Sequence, residues 1–218
     1  MENKDSIRAY FEFVKERPEL FTQSEQIPLV LDEERMRRFS RESGRPMGIV
    51  YHNKGFYRVV ADLCETGDGR EFSYARVIYE QPTNGAVALP HCNGRFGLLR
   101  NFRHSSRMEL LELPRGFAQK GLSPEENIRK ELSEEMNAVV TGLAKLGAVR
   151  ADTGLAAGYA DVFLAEVASA SAQVGHEGIR ELVWLEEKEL YRLIAAGEIT
   201  DGFTLSALCL YRAWKENK

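Results

Sequence analysis

A tight turn that feeds a strongly specified helix constrains this chain more than any other stretch. Leu113-Pro114-Arg115-Gly116 is followed by Ser123-Pro124-Glu125-Glu126. Ser123 is a strong N-cap, Pro124 suits the first helical position, and Glu126 stands where a capping box needs its acid. A helix is therefore expected to start near Pro124, with acidic residues at the positive end of its dipole. Ile128, Leu132 and Met136 recur every four residues as an apolar stripe. Asn137 tolerates the left-handed conformation that closes helices, so the element should stop there. Glu131, Glu134 and Glu135 stand at i, i+3 and i+4, on a face roughly a quarter turn from that stripe. One side is left to pack and the other is left for chemistry.

Carboxylates crowded in this way oppose one another's ionisation unless cations lie among them, and a divalent metal is the simplest such cation. Acidic residues at helical spacing are most often a solvated face. What sets this trio apart is its fixed distance from the glycine turn. That order resembles the Nudix box: a glycine, five residues, Glu, seven residues, Arg-Glu, an aliphatic residue, any residue, Glu-Glu, any residue, Gly and an aliphatic residue. Gly116, Glu131, Leu132, Glu134 and Glu135 fall in register, whereas Leu122, Lys130 and Asn137 replace the first Glu, the Arg and the second Gly. Asn137 is a mild change, because Asn and Gly share the left-handed region. Lys130 keeps the charge but loses the planar fork of an arginine. Leu122 removes a carboxylate outright.

The resemblance reaches beyond the box. Phe96 to Arg103 followed by Glu109 to Arg115 is similar to the strand, arginine and second strand of the ADP-ribose pyrophosphatase branch, and Gly197 to Leu208 is similar to its closing helix. This favours nucleoside diphosphate sugars, ADP-ribose first, over nucleoside triphosphates. The resemblance implies magnesium, or manganese in its place, held by Glu131 and Glu135 with Glu134 sharing an ion and the Arg115 carbonyl adding a ligand. It also implies a catalytic glutamate on the loop after the box. Glu177 is the first candidate there and Glu181 the second, with His176 behind them. Arg103 matches the arginine that receives substrate phosphates, and Arg76 is a second candidate; a surface role is the alternative for both. Pairing through N-terminal strands, as in that branch, implies a homodimer. A Nudix-fold binding or regulatory module without turnover is the competing reading, kept open by Leu122 and Lys130.

The rest of the chain is compatible with a metabolic enzyme of the cytoplasm. Across 218 residues no apolar run approaches the roughly 20 needed to span a bilayer, and the polar start lacks a signal-peptide core. A net charge of -4 argues against a general nucleic-acid binder. Cys64, Cys92 and Cys209 are widely spaced, which suggests neither a disulfide framework nor a zinc site. Helical spacing over residues 7–17 and 32–42 points to a small helical appendage, residues 1–45. From residue 46 onward short β-rich runs, the box helix, further strands and two helices predict an α/β sandwich with mixed sheets.

Overall fold

In a computed structural model, which describes residues 5–81 and 85–218, the chain divides into two compact units. One is Met1–Glu80 with Asp152–Ala157, and the other is Gln81–Ala151 with Gly158–Lys218. Residues 1–4, in the polar start, and residues 82–84 lie outside the described residues.

In the first unit, the Asp5 carboxylate accepts from the backbone N–H groups of Ile7 and Arg8 and so begins α1, Ser6–Glu16. Asp32 caps α2, Glu33–Ser43, which Gly44 closes in the left-handed conformation. Three antiparallel strands follow: β1 (Gly48–Asn53), β2 (Tyr57–Glu65) and β3 (Glu71–Tyr79). The expected appendage of residues 1–45 is not a unit by itself. Ile7, Tyr10 and Phe13 of α1 and Met36 of α2 share one hydrophobic cluster with Val60, Ala61, Leu63 and Ile78 of the strands, so the compact boundary falls after Glu80. Helix and sheet approach so closely at Gly48 that a Cβ there would stand 2.3 Å from the Ser6 carbonyl oxygen. A buried polar contact adds to the packing: the Tyr10 hydroxyl donates to Asp62 at 2.7 Å.

The second unit is built on a mixed seven-stranded sheet. Its strands are β4 (Gly85–Cys92), β5 (Arg95–Arg103), β6 (Met108–Glu112), β7 (Arg115–Gly116), β8 (Val139–Val149), β9 (Ala160–Ser169) and β10 (Ile179–Glu186). The path runs β10-β5-β4-β9-β8, with β6 on β5 and β7 on β4. β4 and β9 are parallel, and the other pairings are antiparallel. Strand alternation divides the core into two layers. Val87, Leu89, Val162 and Leu164 face α4 (Glu187–Ala195) and α5 (Gly202–Glu216), whereas Ala86, Ala88, Phe163 and Ala165 share a cluster with Ile128, Leu132 and Met136 of α3, Pro124–Met136. This is the expected α/β sandwich. The small side chains of Ala86 and Ala88 let α3 lie close to β4. No helix among the described residues is long and apolar enough to cross a membrane.

Because Arg76 also pairs with Asp62, Tyr10→Phe leaves that carboxylate one partner short rather than stranded. We expect a loss of about 1–2 kcal/mol in urea denaturation. An unchanged midpoint would show that the hydroxyl contributes nothing to folding.

Candidate active site

The helix α3 forms as its sequence dictates. Ser123 accepts from Glu126 N, Glu126 reaches back to Ser123 N, Pro124 opens the helix, and Asn137 closes it with φ 44° and ψ 37°. Asn127 Nδ2 donates to the Phe117 carbonyl at 2.9 Å, so the first turn of the helix grips the loop that leads into it.

Gly116 has a steric purpose. A Cβ there would stand 2.2 Å from Glu131 Oε1 and 2.3 Å from Glu131 Cδ, so the Glu131 carboxylate occupies the space that only a glycine leaves. Gln119 Nε2 holds the same oxygen at 3.1 Å. The position one turn further on differs from the simple division into packed and reactive faces: Glu135 is only 4% exposed, and its Oε2 is buried without a hydrogen-bond partner. Burial is the main reason its pKa rises to about 8, with the Glu131 charge adding to it and Arg103 opposing it; Glu177 and Glu112 add smaller contributions. Glu131 is also pushed up, first by burial. Glu134 is exposed and lies 2.8 Å from Lys130 Nζ. Among the described residues, no three His, Cys, Asp or Glu side chains converge into a metal centre as they stand. Glu134 is turned to Lys130 and Glu131 to Gln119, which spreads like charges apart.

Other expected residues fall in different places. Glu177 sits on a short turn, His176–Gly178, with φ 45° and ψ 27°, and its charge is felt by Glu131, Glu135 and Lys130. Gln173, just before that turn, donates its N–H to the Glu135 carbonyl at 3.0 Å, and Gly178 at the turn's end packs against Asn101 and Phe102 of β5. Glu181 is engaged elsewhere, 2.5 Å from Arg100 Nε. Arg103, at the end of β5, contacts the buried Glu112 at 2.5 Å and acts electrostatically on Glu135. Arg76 belongs to the first unit: its guanidinium pairs with Asp62 at 2.6 Å, donates to the Leu20 carbonyl and lies over the Phe21 ring. These contacts hold the Arg76 guanidinium within the first unit.

The chain matches 136 residues of the ADP-ribose pyrophosphatase of Bacillus subtilis (strain 168) at 26% identity, over 61% of this chain and 74% of that protein. A solved structure titled as an ADP compounds hydrolase superposes with a TM-score of 0.66 at 18% identity, over 78% of this chain and 91% of that one. No family model matches the chain. The chain thus resembles an ADP-ribose pyrophosphatase in sequence and shares the fold of an ADP compounds hydrolase.

Sequence reasoning did not single out Glu112, Asp201, Thr204 or Asn127, whose contacts surround the glycine turn and the start of α3. Glu112 did carry a signal, since a charged residue set between Leu111 and Leu113 on a short strand needs a buried partner. Its partners, Arg103 and Arg115, lie near it in sequence, but strand spacing alone did not pair them with it.

Two outcomes follow from this geometry. Gly116→Ala should displace the Glu131 carboxylate and reduce any box-dependent hydrolysis by about a hundredfold or more in steady-state kinetics. In EDTA, Glu135 holds a proton in the folded chain from about its ordinary value of 4.5 up to about 8, and the unfolded chain does not. Stability should therefore be greatest below that window and fall, by on the order of a few kcal/mol, as pH rises through it. Glu135→Gln should flatten this dependence in urea denaturation at pH 5 and pH 8; an equally steep variant would place the titration elsewhere.

Proposed function

We propose that this chain is a divalent-metal-dependent hydrolase that cleaves the pyrophosphate of a nucleoside diphosphate sugar, ADP-ribose foremost, to a nucleoside monophosphate and a sugar phosphate. The observation that carries this reading is the buried, unpartnered Glu135 Oε2 one helical turn from a carboxylate seated in the cradle of Gly116. Two hard oxygen donors kept close against mutual repulsion suit magnesium, with manganese as a substitute. The residues that would hold the ion are Glu131 and Glu135, with Glu134 released from Lys130 and the Arg115 carbonyl completing the set. A bound cation supplies neutralisation of the pyrophosphate oxygens and acidification of a water.

The chain's own groups do the rest. Arg103 offers a planar guanidinium to the phosphates. Glu177, exposed and close enough for its charge to act on Glu131 and Glu135, accepts the proton of the attacking water as the phosphorus–oxygen bond to the leaving phosphate breaks. Glu134 is the alternative acceptor until it is engaged by an ion. A cytoplasmic homodimer acting on a small molecule, without nucleic acid or membrane, completes the reading. Light scattering tests the dimer.

The decisive assay follows product release from ADP-ribose, ADP-glucose, GDP-mannose, diadenosine polyphosphates and NADH, with and without magnesium. Magnesium-dependent turnover of ADP-ribose is expected, and Glu135→Gln should lose about a thousandfold in rate, about 4 kcal/mol of transition-state stabilisation. Metal-independent binding with no product from any substrate would instead favour a binding module, the reading that Leu122 and the Lys130–Glu134 pair keep open.

A further inference from the structure

Resting on the hydrolase reading above, we propose that Glu112, backed by Asp201, is a positioning residue that fixes the Arg103 guanidinium for substrate phosphate and links it to the glycine turn. Glu112 is 1% exposed. Its Oε1 lies 2.5 Å from Arg103 Nη2 and its Oε2 lies 3.3 Å from Arg115 Nη2. Arg115 Nη1 in turn lies 3.3 Å from Asp201 Oδ1. Asp201 also caps α5: its Oδ2 accepts from Thr204 N at 2.9 Å and from Thr204 Oγ1 at 2.8 Å. The same hydroxyl accepts from Leu113 N at 3.0 Å. Carboxylate and guanidinium thus alternate from the end of β5 through the glycine turn to the start of α5, and Thr204 pins the backbone between β6 and β7.

The form of this chain argues for a purpose beyond packing. A buried carboxylate is costly and is retained where its geometry is needed. Glu112 and Asp201 are buried, but the Arg103 side chain keeps 28% of its surface. The guanidinium is anchored at Nη2 while the side chain as a whole stays partly exposed. Its Nε is buried without a hydrogen-bond partner, so the contact with Glu112 sets its direction. Arg103 is also the cation that offsets Glu135.

The test is a double-mutant cycle on the full-length chain: wild type, Arg103→Ala, Glu112→Gln and the double variant. Each is measured for KM and kcat on ADP-ribose with magnesium and for calorimetric binding of ADP. Glu112→Gln should raise KM about tenfold, with kcat falling by less, and Glu112→Asp should recover part of the loss. In the Arg103→Ala background the same change should cost less than about twofold, because its effect passes through the arginine. Equal factors in both backgrounds, or a wild-type KM in Glu112→Gln, overturn the inference and leave the hydrolase reading intact. A wild-type chain that neither binds nor cleaves these nucleotides overturns that reading and the inference with it. Should Glu112→Gln fail to fold, Asp201→Asn, which keeps a capping oxygen, goes through the same cycle with the same criterion.

Discussion

A buried glutamate oxygen without a hydrogen-bond partner is the constraint around which the second unit is arranged. Glu135 is nearly inaccessible, shares its surroundings with Glu131, and has only the partial compensation of Arg103. A fold assembled for stability alone would place an apolar side chain there, continuous with Leu132 and Met136. Retention of a carboxylate in such a position is the mark of a group kept ready for a ligand. The scaffold supports it on every side. Ala86 and Ala88 admit the helix, Gly116 makes room for its carboxylate, and Asn137 turns the chain so that Gln173 can bond back to the Glu135 carbonyl.

The elements that sequence specifies locally were legible. The start, end and apolar stripe of α3 follow from Ser123, Pro124, Glu126, Asn137 and the four-residue repeat, because each acts on neighbours within a turn or two of chain. What escaped the sequence depends on contacts made across it. The first unit joins residues 5–45 to strands β1 to β3 through Tyr10, Phe13 and Met36, so an apparent appendage is half of a core. Arg76 is absorbed by Asp62, a residue on the neighbouring strand that periodicity marks only as one more position. Glu135 looked like part of an exposed acidic face until the strands beneath α3 covered it.

The departures from the box take on physical meaning in the structure. Asn137 occupies the left-handed conformation that the family's glycine would supply, so that exchange leaves the backbone undisturbed. Lys130 finds Glu134 at 2.8 Å across one helical turn, an exposed pair of the kind that contributes little to stability and is readily exchanged. A flexible ammonium releases its partner more easily than a bidentate arginine fork would. Leu122 precedes the cap Ser123 on a loop already fixed by Asn127, so the lost carboxylate is not required for the helix to start.

Charge balance unites these observations. Around the glycine turn, Glu112, Asp201, Glu131 and Glu135 face two guanidiniums, Arg103 and Arg115, which are themselves committed to Glu112 and Asp201. Those four charges cancel among themselves and leave Glu131 and Glu135 as a residual pair of negative groups. Two protons or one divalent cation would neutralise that residue. Under the function proposed above, protons would satisfy it at the expense of oxygens the reaction needs, whereas a divalent ion would satisfy it and add positive charge for a substrate anion. Arginine enough to hold the turn, but not enough to quench the box, is the balance such a site requires.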